Sequence, residues 1–155
     1  MTKIKRILII DDNEIDAYIT NRVIKEYNGN IKTKIIYQPI EALQYLKTIL
    51  DFERSEKSSF VPQLILLDLN MPQLDGFQLL DELMLSQHFA NNPIPIYMLS
   101  SSCSSLDIEK SLEKVLCRGF ISKHIDKSKL GNIIAYEQSS EKDKTGLVNS
   151  GKKVI

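Results

Sequence analysis

Hydrophobic residues along this chain collect in five short runs: Ile7-Leu8-Ile9-Ile10, Ile35-Ile36-Tyr37, Leu64-Ile65-Leu66-Leu67, Ile94 to Leu99, and Phe120-Ile121. The runs are nearly continuous rather than alternating, which is how a strand reads when both faces of a parallel sheet are covered. Pro93 and Pro95 stand at the start of the fourth run, where a missing backbone donor matters least. Between the runs the apolar period lengthens to that of a helix. The spacing predicts helical faces made of Ile15, Tyr18, Ile19 and Val23, then Ala42, Leu43, Leu46, Ile49 and Leu50, then Phe77, Leu80 and Met84. Two more come after these, Ile108, Leu112, Val115 and Leu116, and finally Leu130, Ile133 and Ile134. Pro39, Asp75 and Asp126 supply start signals for the second, third and fifth of these helices. Strand and helix therefore alternate five times, and right-handed crossovers turn that order into an α/β fold, a parallel sheet with helices on both faces.

Two stretches fall outside the alternation. Residues 51–60 form a polar connection longer than most loops between a helix and a strand. Residues 139–155 are too polar and too few for a second domain, and are expected to be a disordered tail behind one domain over 4–138. The length of 155 residues agrees with one domain. Lys+Arg and Asp+Glu number 20 each, a balance that argues against coating nucleic acid or an anionic membrane, since both need a basic surplus. Cys103 and Cys117 are too few for a disulfide framework and lack metal-ligand spacing. The N-terminal apolar run is short for a signal peptide, and no run approaches a membrane span. A cytoplasmic protein is expected.

The chemistry lies in the polar residues at the strand ends. The first strand runs into Asp11-Asp12, the third into Asp68, the fourth into Ser100 and the fifth into Lys123. In a parallel sheet these C-terminal strand ends share one edge, and open α/β sheets bind ligands outside that edge. Each residue alone has a plainer reading: an N-cap for Asp11, Asp12 or Asn13, a solvated Lys123, a flexible Ser100–Ser105 loop. Asp75-Gly76 is a turn and a helix start. Together, after four of five strands, the groups point to a site. Three convergent carboxylates repel one another and call for a hard divalent cation such as Mg²⁺, which leaves coordination positions for phosphate oxygens. A carboxylate can then be the nucleophile that receives a phosphoryl group, with Lys123 pairing its charge and Ser100 donating a hydrogen bond.

These residues resemble the receiver domains of two-component response regulators. The matching stretches are Ile-Leu-Ile-Ile-Asp-Asp-Asn at 7–13, Leu-Leu-Asp-Leu-Asn-Met-Pro at 66–72 with Asp75-Gly76, Met-Leu-Ser-Ser at 98–101 and Phe-Ile-Ser-Lys at 120–123. The resemblance implies a flavodoxin-like doubly wound sheet of five strands in the order 2-1-3-4-5. It implies Asp68 as phospho-acceptor and Asp12 as a direct Mg²⁺ ligand. Asp11 would act through water, and the Asn70 carbonyl would complete the ligands. Ser100 matches the switch hydroxyl, commonly Thr, Ser101 the small residue that leaves the phosphoryl group accessible, and Phe120 the aromatic switch position, which equally reads as a buried strand residue. Two positions depart from the family pattern. His124 stands where Pro usually comes after the lysine, so a trans bond and a less certain reach for Lys123 are expected, with His124 a solvated loop residue. Leu116-Cys117 replaces a common Gly-Ala, so the fourth helix must end without glycine.

The function the resemblance implies is a stand-alone response regulator in a phosphorelay. A sensor histidine kinase or phosphotransfer protein would donate from a phosphohistidine to Asp68. The surface of the fourth helix, fifth strand and fifth helix would then change its affinity for a downstream protein target. Such a chain is a signalling protein rather than an enzyme, with no nucleic-acid or membrane partner expected. An aspartyl-phosphate phosphohydrolase is the enzymatic alternative, but it wants a second Asp where Asn70 stands, and an amide cannot act as general acid. A receiver-like adaptor that works without phosphorylation is the other.

Overall fold

A computed structural model describes residues 3–52, 60–139 and 153–154 of the chain. Five strands, β1 (Arg6–Ile10), β2 (Lys32–Ile36), β3 (Leu64–Asp68), β4 (Ile96–Ser100) and β5 (Cys117–Ser122), form a parallel sheet in the order β2-β1-β3-β4-β5. A two-residue strand, β6 (Lys153–Val154), adds to the far edge and pairs in parallel with Gly119 and Phe120 of β5. It belongs to the stretch expected as a disordered tail, most of which lies outside the described residues, as do residues 53–59 of the polar connection. A pairing as brief as β6 leaves no periodicity in a polar sequence.

The helices are α1 (Glu14–Tyr27), α2 (Pro39–Phe52), α3 (Gly76–Met84), α4 (Gln87–Asn91), α5 (Ser105–Glu113) and α6 (Lys127–Gln138). Alternate residues of the central strands serve the two faces. Leu8, Ile10, Ile65 and Leu67 pack with Ala42 and Leu46 of α2, with Phe77, Leu80 and Leu83 of α3, and with Phe89 of α4. Ile7, Ile9, Leu64 and Leu66 pack with Ala17 and Ile24 of α1 and with Leu130, Ile133 and Ile134 of α6. β3 and β4 are buried along their whole length, which is why their sequences read as unbroken apolar runs.

Three expectations about helices change. Ile15 and Tyr18 of α1 are exposed, and the sheet is met instead by Ala17, Thr20 and Ile24. Both faces carry apolar residues at helical spacing, and the face with the smaller side chains is the one that lies against the strands. α5 stops at Glu113, leaving Val115 exposed beyond it and Leu112 on its open side, while Ser111 is buried. Its end needs no glycine, because the C-cap residue Lys114 has an extended backbone and donates its N–H to the Ser111 carbonyl. α4 is an added single-turn element whose one buried apolar residue, Phe89, gives no period to detect. The Leu50 side chain lies outside the described residues.

Candidate functional site

At the C-terminal edge of the sheet the residues after β1, β3, β4 and β5 meet. Asp11 comes directly after β1 and is fully buried. Its backbone N–H donates to the Ile36 carbonyl and its Oδ1 accepts from the Asn13 N–H at 3.0 Å. Asn13 caps α1 by accepting from the N–H groups of Ile15 and Asp16, so Asn13, not Asp11 or Asp12, is the N-cap. Asp68 ends β3 and is buried. The next residue continues the ladder through Leu69 N–H to the Leu99 carbonyl. Each of Asp11, Asp12 and Asp68 offers a carboxylate oxygen, and these lie within 4.8 Å of one another. Asp12 is exposed, which gives the group a mouth, and Asn70 is exposed in the loop just after Asp68.

Asp75 caps α3 in a reciprocal capping box with Gln78, as the turn reading expects. Gly76 is there for space. A Cβ would come 2.8 Å from the Asp68 carbonyl oxygen, 3.0 Å from the Leu69 Cα and 2.7 Å from Met98 Cε. α3 can therefore start directly against the backbone that carries Asp68 only if this position has no side chain. The loop between also holds Gln73 at φ 69°, the one positive-φ non-glycine residue among those described.

Lys123 reaches the acids. Its Nζ lies 2.9 Å from Asp11 Oδ2, 3.0 Å from Asp68 Oδ1 and 3.0 Å from Asp16 Oδ2. The Lys123–His124 bond is cis, where a trans bond is expected from sequence. The intrinsic preference of the amide is overridden in the fold: the Lys123 N–H bonds to the Ser100 carbonyl at 2.9 Å, the ammonium has its three partners, and His124 Nε2 lies 2.8 Å from Asp16 Oδ1. His124 is thus held by a partner rather than simply solvated. Asp16 is the residue that sequence reasoning missed. Its place in the first turn of α1, behind the Asn13 cap, is the signal that it faces back over the sheet edge.

The electrostatics come down to a count of charges. Asp11, Asp12, Asp16 and Asp68 oppose one ammonium, so full ionisation leaves three negative charges uncompensated by Lys123. Burial first, and then the nearby Asp11 charge, push the Asp68 carboxyl up to about 7, against the pull of Lys123. Lys123 is pushed up from the ordinary lysine value, because bonds to Asp11, Asp16 and Asp68 outweigh its burial. The hydrogen bond from His124, and then Lys123, hold Asp16 below the usual carboxylate range despite partial burial. An arrangement of this kind suits a divalent cation, which supplies the charge the acids lack.

Ser100 is fully buried at the end of β4, and its hydroxyl is engaged within its own loop, donating to the Ser102 carbonyl at 2.8 Å and accepting from the Ser102 N–H at 3.1 Å. Ser101 is exposed. Phe120 is 1 % exposed, inside β5 between Met98 of β4 and Val154 of β6.

Comparison with known proteins agrees with this geometry. Residues 7–135 match the model of the response regulator receiver domain. The response regulator Rcp1 of Synechocystis is 30 % identical over 109 residues, 70 % of each chain. Its Mn²⁺-bound structure covers 84 % of this chain and 88 % of its own at 26 % identity, with a TM-score of 0.62. A two-component response regulator from Cytophaga hutchinsonii covers 88 % of this chain and 98 % of its own at 25 % identity and a TM-score of 0.74. The phosphorylated cyanobacterial phytochrome response regulator RcpA covers 84 % and 88 % at 28 % identity and a TM-score of 0.63. With the family model running from β1 to α6 and taking in every strand-end residue of the site, this chain belongs to the response regulator receiver domain family of two-component signalling.

Proposed function

We propose that this receiver domain accepts a phosphoryl group on Asp68 and works as a response regulator. The observation that carries the reading is the buried Asp68 carboxylate, 3.0 Å from the Lys123 ammonium and grouped with Asp11 and Asp12. The donor is a phosphohistidine on a sensor histidine kinase or phosphotransfer protein. An Asp68 oxygen forms the new O–P bond while the P–N bond breaks, and the electron pair stays with the departing imidazole nitrogen. Lys123, already within ion-pair reach of Asp68, meets the charge of the incoming phosphoryl oxygens. Mg²⁺ would be held by Asp12, Asp68 and the Asn70 carbonyl, with Asp11 acting through water, and would supply charge neutralisation for the phosphoryl group.

Phosphorylation adds about 1.5–2 negative charges. Ser100 answers by exchanging its bond to the Ser102 carbonyl for one to the phosphoryl group, and Phe120 responds in the strand beside it. The α5, β5 and α6 surface then changes its affinity for a downstream protein. Asn70, exposed and unable to donate a proton as an acid does, fits acceptance of the group better than hydrolysis of a phosphate ester. Incubation with acetyl phosphate and Mg²⁺, then intact-protein mass measurement, should give one phosphoryl adduct. An adduct that persists in Asp68→Asn, or no adduct in the native protein, would sink the assignment.

A further inference from the structure

Asp16 lies outside the group of acids that could hold the cation, yet it makes as close an ion pair with Lys123 as Asp68 does, 3.0 Å in each case. Both of its carboxylate oxygens are committed. Oδ2 accepts from Lys123 Nζ, and Oδ1 lies 2.8 Å from His124 Nε2. Its backbone is fixed as well, because the Asp16 N–H donates to the Asn13 side chain that caps α1. The two cationic or donor groups it joins are consecutive in the chain, so one carboxylate on α1 grips the segment after β5 at two neighbouring points. Lys123 has a long, flexible stem, and an ammonium on such a stem is a point charge with no preferred direction of its own.

We propose that Asp16 is a positioning residue for Lys123, its carboxylate bridging the lysine ammonium and the His124 ring so that the ammonium stays aimed at Asp68. His124 orients the carboxylate by occupying the oxygen that Lys123 does not use. The inference rests on the reading of Asp68 as the acceptor and adds the device that holds its lysine. Asp11 and Asp68 have the cation as a second claim on their charge, whereas Asp16 serves Lys123 and His124 alone among the contacts described. Alignment of a charged group at a reacting centre is worth an order of magnitude or more when it is disturbed by about 1 Å.

The test compares rates of Asp68 phosphorylation by acetyl phosphate with Mg²⁺ in four proteins: native, Asp16→Asn, Lys123→Ala and the double variant. Asp16→Asn is expected to be about 10-fold slower than native. In the Lys123→Ala background the same change should have no further effect, because a positioning residue acts only through the group it positions. His124→Ala, at a half-exposed position that leaves the core untouched, is expected to slow the reaction by about 2–3-fold, and it carries the same comparison should Asp16→Asn unfold. An Asp16→Asn rate within 2-fold of native or above it overturns the inference while leaving Asp68 as acceptor. So does a loss that multiplies with that of Lys123→Ala, the mark of a general structural role. A native protein that takes no phosphoryl group overturns both readings.

Discussion

Two buried carboxylates in this molecule have nearly the same exposure and opposite circumstances. The side chain of Glu137, near the end of α6, is 3 % exposed, accepts from the Tyr97 hydroxyl at 2.7 Å and faces Arg118 at 3.9 Å. Asp68, at the end of β3, is 5 % exposed and shares one ammonium with two other acids. At Glu137 a hydroxyl and a guanidinium converge on one acid, and burial together with that acid pushes the Tyr97 phenol well above its usual range, so the hydroxyl stays a donor. At Asp68 three acids converge on one base, and the acid itself is pushed up. The first site has its charge matched and stabilises the fold. The second is short of positive charge, which destabilises the free protein and, on the function proposed above, suits it to a cation and a phosphoryl group.

The sharpest way to break that comparison is to neutralise each acid. Asp68→Asn should abolish the adduct yet raise the stability of chelator-treated protein by about 1–2 kcal/mol near pH 7.5, read by urea unfolding. Glu137→Ala should do the reverse, costing about 2–3 kcal/mol by leaving the Tyr97 hydroxyl buried without its acceptor. Its phosphorylation rate should stay within about 2-fold of native, since its contacts lie away from the strand ends that carry Asp68 and Lys123. If Asp68→Asn were instead the destabilising change, the charge shortage at the strand ends would be wrong.

The pH dependence separates the two sites further. The folded Asp68 carboxyl titrates at about 7 and its unfolded counterpart near 3.8, so between those values the folded protein holds the extra proton. Stability contributed by protonated Asp68 is therefore present below about 4 and lost as pH rises towards 7. Asp16 runs the other way, because its folded value is lowered: its contribution is present above the unfolded value of 3.8 and is lost as pH falls below that towards the lowered folded value. Chelator-treated native protein should lose stability relative to Asp68→Asn between pH 4 and 7, and the two curves should meet in acid. Addition of Mg²⁺ at pH 7.5 should raise the melting temperature of native protein more than that of Asp68→Asn.

Much of this was legible without coordinates, for physical reasons. β1, β3 and β4 are covered on both faces, so their sequences are unbroken apolar runs, and the polar residue that ends each run marks the sheet edge. Asp75 and Asp126 cap helices where capping residues are expected. What stayed hidden depends on contacts between distant residues. Apolar period alone does not say which face of α1 meets the sheet, and it selected Ile15 and Tyr18 over Ala17 and Thr20. Asp16 and His124 are 108 positions apart and each looks like a solvated residue until the segment after β5 is brought to the start of α1.

The smallest expected effect tests how far the charge pair at Asp16 depends on the backbone beneath it. Asn13 accepts at 3.0 Å from the Ile15 N–H and at 3.1 Å from the Asp16 N–H, so Asn13→Ala leaves both donors to water. Loss of such a cap costs about 1 kcal/mol, and α1 also packs through Ala17 and Ile24 in the same cluster as the α6 residues Leu130 and Ile134. The unfolding free energy should therefore fall by that amount. The rate of Asp68 phosphorylation should fall less than in Asp16→Asn, because the Asp16 carboxylate keeps Lys123 and His124 as partners even when its helix end frays. A rate loss equal to that of Asp16→Asn would mean that the cap, rather than the ion pair, holds the lysine in place.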